Sequence, residues 1–368
     1  DLWRKGFSGV FRANKLLEKI AAVPMSEAKK ARYVAECKFL RAYFYFDLLR
    51  MFKNIPLLLQ PLDVNEMFDV TQAAPADVWA QIEKDLKDAI AETQLPDRIT
   101  DLNEKARATK GAAHALLGKV YIYQEKWPEA AAELALVNGT PGQQNPTYGY
   151  ELLEKFEDLW KSEPEFKFNK ESIFEISYTN TSQGTWDCVA CTEGNVLNIM
   201  TGPRSYTAKT DDAPDYVSGW SFLTVSNALY AVMKDDPRFP YTIADLKALV
   251  ASGKATYSPG HDDTGYFLEK FMGRASNRVP SGIPELNFPQ NLYDMRLADT
   301  YLLEAEALVR AGQGSGAGSR AYALLNAVRD RVGLGPIPAT IDNIFLERRK
   351  ELAGEGHRFF DLIRTKQA

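Results

Sequence analysis

The stretch VAECKFLRAYFYFDLLRMFKNIPLLL, residues 34–59, decides how this chain must fold. At about 100° per residue, Phe39, Ala42, Phe46 and Leu49 fall on one side of a helix, while Leu40, Phe44, Leu48 and Met51 fall on a second side roughly opposite. Two polar seams lie between them, Glu36, Asp47 and Arg50 along one, and Lys38, Arg41 and the hydroxyl of Tyr45 along the other. A helix with two apolar faces needs a helix layer on each side, so the chain is expected to be a layered, mainly α protein. Asn54-Ile55-Pro56 ends the helix, because the residue before a proline is pushed out of the α region.

Before it, Leu2, Phe7, Val10 and Phe11 mark an amphipathic helix over residues 2–20, and the turn Pro24-Met25-Ser26-Glu27 makes the two helices antiparallel neighbours. The chain starts within that helix with no cap ahead of it, so the true N-terminus and any targeting signal are expected to lie upstream. Beyond Pro56, residues 57–74 carry Pro61, Asp63, Asn65 and scattered apolar positions and read as an extended crossing loop, with Phe68 its large exposed apolar group. Val78, Ile82, Leu86 and Ile90 then place one stripe of a helix from Ala76 to Thr93 inward.

Residues 106–141 carry a repeat signal. Leu117-Gly118, Tyr121, Ala130, Leu134, Val137 and Pro141 follow tetratricopeptide spacing, with His114 where that pattern has Trp. Small Gly118 and Ala130 let two helices approach, and the larger residues fill the space toward the next pair. From Gln143 to about Gln290 the chain turns irregular and rich in Gly, Pro, Asn, Asp, Ser and Thr, with one strand expected at Ser172–Tyr178 and one helix at Ser221–Lys234. So long a loop section usually carries function. Helical period returns over Leu292–Val309, Ala321–Val332 and Ile341–Ile363, the first two joined by the flexible 312–319 loop. The expected division is a helical scaffold at 1–142 and 291–368 around a loop-rich lobe at 143–290, as one structural unit.

Bulk properties narrow the function. With 45% hydrophobic and 25% charged among 368 residues, the chain is an ordinary globular one. A net charge of −5 and a pI near 5.5 speak against nucleic acid. No run reaches the roughly 18 apolar residues of a membrane span. Aromatic content of 11% points to either an aromatic core or a stacking surface.

Five blocks in order resemble the SusD/RagB family of surface nutrient-binding lipoproteins: AECKFLRAYFYFDLLRMFKNIPL at 35–57, ALLGKVYIYQEKWPEAA at 115–131, DDPRF at 235–239, MRLADTYLLEAEALVRAG at 295–312 and FLERRKELAGEGHRFFDLIR at 345–364. The family's N-terminal portion with its lipidated cysteine has no counterpart here. The resemblance implies tetratricopeptide-like helix pairs carrying a loop-rich lobe with short strands. It implies non-catalytic capture of an oligosaccharide or polysaccharide, or in some branches a peptide, as a lid on a SusC-like TonB-dependent transporter. The expected location is the outer membrane surface, reached through a lipid anchor outside this chain, with no cofactor and no metal.

A neutral sugar offers an apolar C–H face and a ring of hydroxyls, so its capture needs flat aromatic groups with polar rims. Trp186 and Trp220 are the candidate stacking groups, with Tyr206, Tyr216, Asp187, Asn195 and Arg204 around them and Phe68 and Asn65 contributed by the crossing loop. Loop-pinning packing is the competing explanation for both tryptophans. Cys188 and Cys191 lack the second ligand pair of a zinc site and are either a local disulfide or two free thiols. Asp211-Asp212 and Asp262-Asp263 lack the alternating spacing of a calcium loop. Arg348, Arg349, Glu351, Glu355, His357 and Arg358 have the charge density of a catalytic centre, but interhelical ion pairs with the seams of the long helix explain them more simply. A pure tetratricopeptide interaction scaffold is a further alternative, opposed by the long lobe.

Overall fold

Ser26 opens the long helix, its hydroxyl accepting from the Lys29 N–H, and Lys53 leaves it with φ of 60°. This helix, α2 (Glu27–Phe52), follows α1 (Leu2–Lys19) in a computed structural model that describes residues 2–63, 65–181, 184–278 and 283–367. Phe39, Ala42, Phe46 and Leu49 of α2 are buried. On the opposite face Phe44 and Leu48 meet α1 at its glycines. A Cβ on Gly6 would stand 2.7 Å from Leu48, and one on Gly9 would collide with the Phe44 ring. The rest of that face departs from the expectation: Leu40 and Met51 stay exposed.

The polar seams find partners. Arg41 donates to both carboxylate oxygens of Asp85 at 2.8 and 2.7 Å and to Asn14. Lys38 pairs with Asp88, and the Tyr45 hydroxyl meets the backbone of Leu58. Asp85 and Asp88 lie on α3 (Pro75–Ala91). The tetratricopeptide-like hairpin is α4 (Lys110–Tyr123) and α5 (Trp127–Asn138), in contact where a Cβ on Gly118 would stand 2.6 Å from Leu134. His114, at the Trp position of the pattern, meets Glu133 through Nδ1 at 2.6 Å.

The lobe holds more regular structure than its sequence predicts. Its elements are β1 (Ser172–Ile176), α6 (Leu197–Thr201), β2 (Arg204–Ala208), α7 (Asn227–Met233), α8 (Phe239–Thr242), β3 (Ile243–Asp245), α9 (Leu246–Ala251), β4 (Ala255–Ser258) and β5 (Tyr266–Leu268). The chain then returns through β6 (Leu292–Arg296) to α10 (Leu297–Arg310), α11 (Arg320–Asp330), α12 (Ile341–Glu351) and α13 (His357–Arg364). The helix expected from Leu292 therefore starts at Leu297. The five residues before it pair antiparallel with β1, joining Ser172 to Arg296 and Ile176 to Leu292. Two further antiparallel pairs, β2 with β4 and β3 with β5, lie inside the lobe. The main core runs from Val10 to Ile344 through α2, α4, α10 and α11, and small satellite cores such as Tyr206, Leu246, Phe267 and Met272 hold the lobe together. Among the described residues no helix is long and apolar enough to cross a membrane.

The charge-dense 345–364 block is a buried ion-pair network, but its partners are not the α2 seams. Arg348 pairs with Asp299 of α10 and Asp361 of α13, and Glu351 receives Arg238, Arg296 and Arg331. Glu355 takes Arg296 and Lys270, so the lobe is bound to the last helices by charge. Burial alone would raise the Glu351 carboxyl, yet Arg331, Arg296 and Arg238 hold it well below the usual carboxylate range. Contact with α2 comes instead from Phe360, whose ring centroid lies 3.9 Å from the Arg50 guanidinium carbon.

His357 sits in this network 3.9 Å from Asp299. Burial pushes it down from its ordinary 6.5 to about 4, with Lys119 and Arg348 acting the same way against Asp299. The fold therefore holds it neutral, while the unfolded chain takes up a proton below about pH 6.5. Its contribution is full above pH 6.5 and falls as pH drops toward 4, a loss of roughly 2–3 kcal/mol by pH 4.5. Urea unfolding of the parent and His357→Gln at pH 7 and 4.5 measures this. The stability gap between them should shrink on acidification, and a gap independent of pH would contradict the assignment.

Candidate functional site

The lobe brings Trp186, Trp220 and Phe222 into one row of rings. Trp186 is 47% exposed and lies 5.6 Å, centroid to centroid, from Trp220 at an interplanar angle of 31°. Trp220 in turn lies 5.4 Å from Phe222, which is 61% exposed. The backbone fixes this row. Gly219 donates to Pro203, Trp220 to Ile199, Ser221 to Gly202 and Phe222 to Met200, so residues 219–222 are laced onto the end of α6. Gly202 and Gly219 face each other so closely that a Cβ on Gly219 would stand 2.5 Å from the Gly202 Cα, which is why neither carries a side chain. Beneath, Trp220 rests on the small core of Ile199, Val217 and Phe288.

A disulfide joins Cys188 to Cys191 and closes the turn that bears Trp186, deciding between the two states left open by the sequence. Arg204 is exposed at the first position of β2, and its Nε donates to the Trp220 carbonyl at 2.9 Å. Asp187 is exposed next to Trp186. The result is a partly exposed aromatic surface with one cation and one carboxylate in its immediate neighbourhood. Such a surface can stack on the C–H face of a sugar and hydrogen-bond its hydroxyls.

Other sequence candidates lie elsewhere or do other things. Asn195 is a correction: it is buried, its amide donates to the Gln290 carbonyl and its oxygen accepts from the Leu197 N–H, so it shapes the loop and cannot face a ligand. Tyr206 is a second correction, being buried with its hydroxyl donating to the Pro214 carbonyl. Its ring lies 5.3 Å from that of Tyr216, which donates to Glu269 at 2.5 Å beneath the Arg274 guanidinium. These two tyrosines belong to the interior packing of the lobe and are not part of the Trp186 row. Phe68 is 89% exposed and Asn65 is exposed beside it on the crossing loop, with no ring contact to that row among the described residues. Sequence reasoning missed Phe222 because it placed that residue in a helix expected over Ser221–Lys234, whereas α7 starts at Asn227 and Phe222 lies ahead of it beside Trp220. No group of three or more metal-ligating side chains occurs among the described residues, and Asp212 and Asp263 are engaged by Lys254 and the Tyr257 hydroxyl.

A model described as the SusD family matches residues 170–368, more than half of the chain. The chain belongs to the SusD family. Residues 1–122 match a second description, starch-binding associating with outer membrane. A solved laminarin-binding SusD-like protein is 51% identical, with a TM-score of 0.94 over all of this chain and 77% of that one. Surface glycan-binding protein A from Bacteroides thetaiotaomicron, solved with laminarihexaose, is 28% identical with a TM-score of 0.86, covering 100% of this chain and 76% of that one. A SusD-like protein of Bacteroides ovatus is 27% identical across 98% of this chain, which spans 64% of that protein's length. In this SusD-family chain the ion pairs of the 345–364 block are buried between the last helices and the lobe, where they serve its architecture.

Proposed function

We propose that this SusD-family chain captures a laminarin-type glucan at the outer membrane surface and passes it to a SusC-like TonB-dependent transporter. Trp186 and Trp220 form the stacking surface, Phe222 extends it, and Arg204 and Asp187 hydrogen-bond the sugar hydroxyls. What carries this reading is the exposed, disulfide-framed Trp186 against Trp220 in a chain 51% identical to a laminarin-binding protein. Stable fixation of the indoles matters chemically. Rings already packed at their binding positions lose little freedom when a pyranose face is laid on them, so a flat contact of small area still yields useful affinity.

The test is affinity electrophoresis and calorimetry against laminarin, starch, a β-1,4-glucan and a casein digest. Laminarin should bind at least about tenfold more tightly than the other polysaccharides, the discrimination expected when one partner fits a stacking surface by roughly one further contact. Binding of casein peptides with no polysaccharide bound would move the assignment to peptide capture.

A further inference from the structure

A second concave site differs from the aromatic row in chemistry. A cavity of about 310 Å³ opens between residues 98–109, the turn at 148–150 and β1, with Arg98, Lys105, Arg107, Lys170, Tyr148 and Asn169 in its wall. Two of the four cations are neutralised: Arg107 by a two-pronged pair with Glu36, and Lys170 by Glu151 at 2.8 Å. Arg98 and Lys105 enter no ion pair among the described residues. The guanidinium of Arg98 lies against the backbone at Gly149, where φ is 76° and a Cβ would stand 3.1 Å from Nη1. The carboxylate that faces the cavity, Glu175, is buried and already accepts from the Phe168 N–H at 3.0 Å and from Asn291 at 2.7 Å. Burial pushes its pKa up, and its oxygens are already taken by these two donors.

We propose that this cavity binds an oxyanion carried on a sugar, a sulfate ester or a uronate carboxylate, with Arg98 and Lys105 as its charged partners and the Tyr148 ring beside the sugar. A guanidinium and an ammonium suit that ligand, since the first gives paired planar donors and the second a point charge. The volume is at the lower end of ligand pockets, about 300 Å³, which fits one substituted sugar unit and not a chain. The net charge of −5 works against a polyanion at long range, but it is screened beyond about 8–10 Å, so a single substituent in the cavity meets the local cations. This site is separate from the Trp186 row and does not depend on the glucan assignment.

The experiment is calorimetric titration at low and moderate salt with a sulfated galactan hexasaccharide, an oligoglucuronate, laminarihexaose and sodium sulfate, for the parent, R98A/K105A and W186A/W220A. An anionic oligosaccharide should bind, lose affinity as salt rises, and weaken about tenfold or more in R98A/K105A while laminarihexaose binding is unchanged. The tryptophan variant should show the opposite pattern. Binding of both anionic sugars supports recognition of charge as such, and binding of one identifies its source. Because neither cation is paired, R98A/K105A should melt with the parent, so lost binding is not lost folding. The proposal fails if no anionic oligosaccharide binds, if R98A/K105A binds it as well as the parent does, or if only free sulfate binds.

Discussion

Replacing Arg296 by Met is expected to remove about 3–5 kcal/mol of stability, measured as the free energy of unfolding in urea. Arg296 is the last residue of β6 and directly precedes α10, and it is 1% exposed. Its Nη1 donates to Glu171 at 2.8 Å and to Glu351 at 2.7 Å, its Nε donates to Glu355 at 2.7 Å, and its Nη2 donates to Glu355 at 2.8 Å and to the Glu351 carbonyl at 3.0 Å. A Met of similar length fills the space but leaves three buried carboxylates facing one another with fewer cations. That imbalance, and not the lost attraction, sets the size of the effect, because one partner of a buried pair stripped of its counterion keeps its full desolvation cost. Arg331, Arg238 and Lys270 remain to share the load, which is why the protein should weaken before it fails. Glu351 and Glu355 have depressed pKa values in the fold, so the stability they give is present above the ordinary carboxylate range and is lost as pH falls through their folded values. The gap between parent and Arg296→Met should therefore narrow in acid. A loss under about 1 kcal/mol at pH 7 would mean that the network is dispensable, as fully hydrophobic replacements of buried ion pairs can be.

What the sequence disclosed follows the range over which each interaction acts. The buried face of α2 and the close approach at Gly118 were legible because they depend on residues spaced within one helix or one hairpin. The lobe was not, since its strands are three to five residues long and hold too little of a period-two pattern to recognise. β6 was read as helix for a related reason: its partner, β1, is more than a hundred residues away, and the pairing of Ser172 with Arg296 overrode local preference. Pairing of the 345–364 charges could be foreseen from their density, but the identity of their partners could not. Arg238 and Lys270 come from the lobe, where nothing in the local sequence marks them as interior. The candidate site was partly legible. Trp186 and Trp220 stand out as large rings in an irregular section, and they do meet. Asn195 and Tyr206 have the same composition signal and fail on burial, which composition does not encode. The cavity cations at 98 and 105 share no motif and become a site only when the 148–150 turn folds beside them.

Replacing Trp186 and Trp220 together by alanine is expected to weaken laminarin binding by more than about 100-fold, or roughly 3 kcal/mol, since each is a large ring at the proposed contact. The two rings touch, so their effects should not add, and the single variants fix how the loss divides. Trp186 is half exposed on its disulfide-closed turn, and Trp186→Ala should cut affinity about tenfold with no change in melting temperature. Trp220 packs on Ile199, Val217 and Phe288, so Trp220→Ala opens a void beneath the site and destabilises the lobe as well. Trp220→Phe separates these effects by keeping most of the packing while trimming the surface a pyranose can cover. The informative comparison is Trp186→Ala with Trp220→Phe at equal thermal stability, each titrated with laminarin. If both bind as the parent does, stacking does not occur at this row, and the exposed aromatic left to examine is Phe68 on the crossing loop. If Trp186→Ala alone abolishes binding, the row acts as a single ring held in place by its neighbours, and Trp220 is a positioning residue that reaches the sugar only through the indole it supports.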